Sequence, residues 1–213
     1  MNRAVFIAQY FFRIYGVRMA DHQTRRITDL GTLKALGHPL RIQLYRALFV
    51  ARTATASQLA EQVDEAVSLV SYHLRKLAEH GLIEPAEPQG ADGRERWWQP
   101  AQETVTIRHE DVRNAPEKLA AQSAVRHLYF EQRVDLFKRH LAETESWDAS
   151  WRTAVVDSEY LPRLTADELK ELGDALHALI KKYDARARAA EAAGDTEGRE
   201  NVAVHLYGFP FRT

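Results

Sequence analysis

The chain has 213 residues, with 29 Lys/Arg against 30 Asp/Glu, 45% apolar and 28% charged residues, and no cysteine. That is enough for one large domain or two small ones with a buried core, and the charge is too balanced for bulk basicity to announce nucleic acid. Without thiols there are no disulfides, thiolate metal sites, iron–sulfur clusters or cysteine nucleophiles, which fits a reducing compartment.

Charge is nevertheless uneven. Residues 1–108 carry 14 Lys/Arg against 11 Asp/Glu, and residues 109–213 carry 15 against 19. The most apolar stretch, Ala4 to Val17, is broken by Gln9, Arg13 and Gly16. It is too short to cross a bilayer and lacks the layout of a signal peptide. Residues 1–24 therefore read as an N-terminal extension, with an aromatic amphipathic helix (Phe6, Tyr10, Phe11, Ile14) as the alternative.

Thr28 to Leu36 predicts a short helix that stops at Gly37, and Pro39 suits the first turn of the next. Leu40 to Ala51 repeats apolar residues at helical period. After a polar linker from Thr53 to Ala56, Ser57 to Val63 and Val67 to His80 predict two helices separated by the tight turn Asp64-Glu65-Ala66. That is the outline of a helix-turn-helix. Leu82 to Glu84, a Pro- and Gly-rich loop, and Arg94 to Gln99 then describe a strand–loop–strand wing, and Thr104 to Arg108 a further strand.

Pro116 opens a long helix running to about Thr144, with one apolar stripe at Ala121, Val125, Leu128 and Leu136 and another at Phe130, Val134, Phe137 and Leu141. At 1.5 Å per residue it spans roughly 40 Å, more than a winged-helix core needs. Thr153 to Ser158 has strand character. Thr165 and Glu168 form a capping box for a helix carrying Leu169, Leu172, Leu176, Leu179 and Tyr183, a near-heptad seam suited to helix pairing. Val202 to Phe209 alternates and predicts a closing strand. Trp147, Trp151, Tyr160, Tyr207 and Phe209 are expected as core rather than as a ligand cage.

The informative segment is Val67 to Leu77. On a helical wheel Leu74 and Leu77 fall within about 40° of Val70, and Ser68, Tyr72 and Arg75 lie at about 140–200°, with Ser71 on the flank. Small hydroxyls, a phenol and a guanidinium on one face suit a helix that enters a major groove. Arg75 can fork onto guanine, Tyr72 and the serines can reach phosphates or bases, and Val67 can meet a thymine methyl. Ser57 and Gln58 at the start of the preceding helix are placed for a phosphate. Arg94 and Arg96 of the wing are available to a minor groove or backbone, unless they pair with Glu84, Glu87 or Glu95.

Leu33-Lys34-Ala35-Leu36-Gly37-His38-Pro39-Leu40-Arg41, Ser57-Gln58-Leu59-Ala60, Val70-Ser71-Tyr72-His73-Leu74-Arg75-Lys76-Leu77 and Gly81-Leu82-Ile83 resemble the ArsR-type winged helix-turn-helix regulators of bacteria over about residues 28–108. The resemblance implies a cytoplasmic homodimer on a near-palindromic operator, repression, and an effector that shifts operator affinity. It carries DNA contact onto Ser68, Ser71, Tyr72, His73 and Arg75. Val67 stands where the family often has Gln. The cysteines of metal-sensing members are missing. His127, Tyr129, His140 and Glu143 match the spacing of a family metal set but not its ligand types, so no metal and no cofactor is expected.

The expected fold is mainly α with small β: a winged helix-turn-helix over 25–108, then a helical region over 109–213 with two short strands. The second region is expected to supply dimerisation through Leu128, Phe137, Leu141, Leu169, Leu172, Leu176, Leu179 and Tyr183. The expected partners are double-stranded DNA, a second copy of the chain and a non-thiolate small-molecule effector, with no membrane. A winged helix that binds only protein is the alternative. No phosphate-cradling Gly-rich loop, nucleophile elbow or His-Glu-x-x-His motif points to an enzyme.

Overall fold

The computed structural model describes residues 24–88, 95–102, 104–107 and 109–212. The N-terminal extension up to residue 23, most of the wing loop and Arg94 lie outside the described residues. The chain divides into two compact units, one ending at Val134 and the other running from Asp135. The architecture is mostly helical with small sheets, the class expected from the sequence.

The first unit contains β1 (Thr24–Arg26), α1 (Leu30–Leu36), α2 (Pro39–Ala51), β2 (Ala54–Thr55), α3 (Ala56–Val63), α4 (Val67–Glu79), β3 (Ile83–Pro85), β4 (Trp97–Pro100) and β5 (Thr104–Thr106). It ends in the larger part of α5 (Pro116–Ala142). Asp29 caps α1 by accepting the Thr32 N–H at 2.7 Å, and that bond holds its carboxyl below the usual carboxylate range. Asp64 ends α3 in the left-handed region at φ 54°, which turns the chain sharply into α4. Gly81, at φ +60°, releases α4 into β3, a conformation that strains any residue with a Cβ.

Leu33, Leu36, Ile42, Leu44, Leu48, Leu59, Val70, Leu74, Leu77 and Leu82 are fully buried or nearly so and form one continuous core, apart from Ile42, which is buried outside that cluster. Burying each side chain of this size stabilises the unit by about 1.5–3 kcal/mol relative to exposure, against the entropy of ordering it. The wing is a three-stranded antiparallel sheet in the order β2-β4-β3, with Ala54 opposite Trp98 and Glu84 opposite Gln99. Trp98 points inward and closes the base of the wing.

Three features depart from the sequence expectation. The polar linker after α2 contains β2, whose Ala54 and Thr55 are both buried. The strand expected from Thr104 pairs in parallel with β1. Arg26 of β1 then forms an ion pair with Asp111, and the Ile27 N–H donates to the Thr106 carbonyl at 2.9 Å. The compact unit also reaches past residue 108, because Val112, Gln122 and Val125 are buried in it. The Gln122 side chain donates to the Ile107 carbonyl at 3.4 Å, so the buried strip of α5 is Gln122 and Val125, flanked by half-buried Leu119 and Tyr129. Of the expected row from Ala121 to Leu136, Val125 is buried and Ala121 packs against the core, whereas Leu128 and Leu136 are half-buried.

In the second unit, α6 (Ala149–Ala154) is capped by Asp148, which accepts the Trp151 N–H at 3.0 Å. α7 (Ala166–Ala192) begins with the expected capping box. The Thr165 N–H donates to Glu168 at 2.7 Å, and the Glu168 N–H donates to Thr165 Oγ1 at 3.2 Å. Gly208 lies so close to this helix that a Cβ would stand 3.0 Å from Leu169 Cδ1.

Neither expected strand of this region forms. Thr153 and Ala154 finish α6, and Val155 to Ser158 and Val202 to Phe209 pair with no strand among the described residues. Alternation marks a segment with two faces, but a strand also needs a hydrogen-bonding neighbour. The expected aromatic core is likewise not buried. Trp147 and Trp151 are half-buried and meet edge to face at 6.3 Å, whereas Tyr160 (83% exposed), Tyr207 and Phe209 face solvent.

Candidate nucleic-acid interface

α3 and α4 owe their relative placement to their apolar sides. Leu59 and Ala60 of α3, and Val70, Leu74 and Leu77 of α4, enter the common core. Thr55 caps α3 and closes a reciprocal box: its hydroxyl accepts the Gln58 N–H at 3.3 Å, and the Gln58 side chain accepts the Thr55 N–H at 2.9 Å. The Gln58 carboxamide oxygen is therefore committed to the cap, and its NH2, the group that can donate to a phosphate, takes no part in that bond. The Ser57 hydroxyl donates to Glu95 at 2.5 Å.

The outward side of α4 carries Ser68, Tyr72 and Arg75, as the wheel places them, with Val67 at its N-terminal end. Val67 (46%), Tyr72 (49%), Ser68 and Arg75 are exposed, and Ser71 is half-buried on the flank. The Arg75 Nε–H donates to the Ser71 carbonyl at 3.2 Å, which lays the guanidinium along the helix. Lys76, which sequence reasoning passed over, stands 5.9 Å from the Tyr72 ring centre and pairs with Glu79 at 2.8 Å. The hydrogen bond from Lys76 is the main reason the Glu79 carboxyl is held below its usual range.

His73 does not join that exposed row. It is 6% exposed, with its ring 4.4 Å from that of His38 at the start of α2. The Nδ1 atoms of both rings are buried without a hydrogen-bond partner. Burial, reinforced for His73 by His38 and Arg41, pushes the pKa of both imidazoles below the usual histidine value. The physical cause of the correction is the wheel itself: three residues after Val70, His73 stands about 60° from the core direction. It supports α4 from behind and is not a group presented to a ligand.

A cleft of about 260 Å³ lies between α3, α4 and the wing, lined by Ser57, Val67, Ser71, Arg75, Arg96 and Trp98, with Ala56 and Glu95. Arg96 sits over the Trp98 ring, 5.4 Å from its centre. Among the described residues Arg96 forms no ion pair with Glu84, which accepts from the Gln99 side chain at 2.9 Å. The cleft thus brings together five of the residues singled out in the sequence. It leaves out Ser68 and Tyr72, which lie further round α4, and His73, which is buried.

Residues 36–86 match the family model of a helix-turn-helix domain. The matched segment runs from the end of α1 to just past β3. No curated protein matches the chain. Among solved structures, a possible transcriptional regulator for arsenical resistance is similar at 27% identity, covering 53% of this chain and 94% of its own, with a TM-score of 0.29. An apo mutant of ZitR from Lactococcus lactis is similar at 17% identity, covering 86% and 98%, with a TM-score of 0.29. A MepR-like protein complexed with pseudoligands is similar at 19% identity, covering 65% and 91%, with a TM-score of 0.30.

The residues expected at a dimer contact divide between the units. Leu128 is half-buried in the first. In the second, Phe137, Leu141, Leu172, Leu179 and Tyr183 are exposed, and Leu169 and Leu176 are half-buried. Among the described residues, no group of three or more His, Asp or Glu is arranged to hold a metal ion. His127 instead contacts the Ser123 carbonyl at 2.8 Å, and burial pushes the Tyr129 hydroxyl up from its ordinary pKa. No described helix is long and apolar enough to cross a membrane.

Proposed function

We propose that the chain is an ArsR-type transcriptional regulator, a cytoplasmic repressor that binds duplex DNA as a homodimer and answers to a non-thiolate effector. One observation carries the reading. α4 buries Val70, His73, Leu74 and Leu77 and leaves Val67, Ser68, Tyr72 and Arg75 exposed, with Arg96 of the wing across the adjoining cleft. A helix with that division has a polar, guanidinium-bearing face of the width a major groove accepts.

The homodimer is supported by the apolar side chains that the second unit leaves uncovered, Phe137, Leu141, Leu172, Leu179 and Tyr183 among them. Such a surface on a stable protein calls for a partner, and a second copy supplies one by symmetry. A two-fold dimer sets the two copies of α4 about one turn of DNA apart, ~34 Å, so the operator is an inverted repeat.

The test is selection of bound duplexes from a random pool, followed by a salt titration and light scattering on the selected complex. The reading expects an inverted repeat, a dimer, and affinity that falls steeply as salt rises. A monomer, or a complex indifferent to salt, overturns it.

A further inference from the structure

The cleft beside α4 holds a carboxylate where a nucleic-acid site would be expected to exclude one. Glu95 lies among two hydroxyls, Ser57 and Ser71, and two guanidiniums, Arg75 and Arg96. Neither guanidinium forms an ion pair with a carboxylate among the described residues: Arg75 is bonded to the Ser71 carbonyl, and Arg96 rests over Trp98. Glu95 is held instead by the Ser57 hydroxyl at 2.5 Å. Ser57 belongs to the first turn of α3, where the Ala56 and Ser57 N–H groups have no acceptor within the helix.

Resting on the DNA-binding reading, we propose that Glu95 occupies the position of a DNA phosphate and competes with the duplex for this cleft. A carboxylate and a phosphate oxygen ask for the same donors: a serine hydroxyl, helix N-terminal amides and guanidinium N–H groups. Both cannot be satisfied by the one Ser57 hydroxyl, which has a single proton to donate. When a duplex docks, Ser57 exchanges its acceptor from Glu95 to phosphate, and the displaced carboxylate remains close to a polyanion. The cost falls on every sequence alike, because the phosphate backbone is common to all duplexes. Glu95 is thus an affinity-setting residue that keeps the regulator from being held by DNA at large.

The experiment uses the full chain and a fluorescein-labelled mixed-sequence duplex of about 30 base pairs, long enough for two half-sites. Glu95→Gln keeps the acceptor oxygen for Ser57 and removes the charge. It is expected to tighten binding about 3–10-fold at low salt, because a carboxylate no longer stands beside the docked polyanion, and the gain is expected to shrink as salt rises. Glu84→Gln makes the same change in net charge on the same wing but outside the cleft, and is expected to alter affinity less than about 2-fold. Ser57→Ala in the Glu95→Gln background is expected to lose part of the gain. Equal or weaker binding by Glu95→Gln, or equal gains from Glu84→Gln and Glu95→Gln, overturns the proposal while the DNA-binding reading stands. Absence of salt-sensitive duplex binding by the unmodified chain and all variants overturns both.

Discussion

Val125→Ala, made in the full chain, asks whether the first half of α5 belongs to the same folding unit as the helix-turn-helix. Val125 is 1% exposed and packs within the core that also contains Leu74 and Leu77. The substitution removes two methyl groups, worth about 0.8 kcal/mol each in transfer alone. The cavity left behind raises the loss to about 2–3 kcal/mol. For a domain stable by about 5–15 kcal/mol that is a large share. Hydrogen exchange resolved along the chain reads the first unit separately from the second. Amides of Val70 to Leu77 are expected to lose about 30–150-fold of their protection, the factor equivalent to that free energy. Arg126→Ala, one residue on and exposed, should change them less than about 3-fold. Unchanged protection in α4, with faster exchange confined to α5 itself, would refute the claim that this helix completes the core.

Arg75→Ala is expected to weaken binding to a selected operator by about 1–3 kcal/mol with the dimer intact, and competition against mixed-sequence DNA measures the lost discrimination. The buried histidine pair makes stability depend on pH. The His73 pKa is depressed in the folded chain, chiefly by burial, so the unfolded chain binds more protons below its own histidine pKa of about 6.5. Stability is complete above that pH and declines as the medium is acidified through it. Thermal unfolding of His73→Phe is expected to lose part of this slope between about pH 6.5 and 5, and a slope identical to that of the unmodified chain would count against it.

Local periodicity made the helix-turn-helix legible, because Val70, Leu74 and Leu77 recur on one face and the turn is bounded by Asp64 and Ala66. The Thr165–Glu168 box was legible for the same reason: its partners are three residues apart. What escaped was non-local. β2 is two residues long, too short for alternation to register, and exists because Ala54 and Thr55 meet Trp98 and Trp97 across the sheet. The β1–β5 pair joins segments some eighty residues apart and leaves no local mark. Gln122 is buried because a backbone carbonyl needs a donor, a demand that no helical wheel records. His73 is instructive in the other direction. The family resemblance turned it outward, whereas its position three residues after Val70 brings it to 6% exposure.

The Arg25 guanidinium donates to the carbonyls of both His80 and Gly81, at 2.6 and 2.5 Å. The far end of α4 is therefore tethered by a side chain that precedes the matched segment, just as Val125 and the central wing strand follow it. A fragment cut to residues 36–86 would keep every outward-facing side chain of α4 and forfeit the bracing that holds the helix in place. Anyone grafting this helix onto another scaffold must bring along both flanks, or expect the same side chains without their posture.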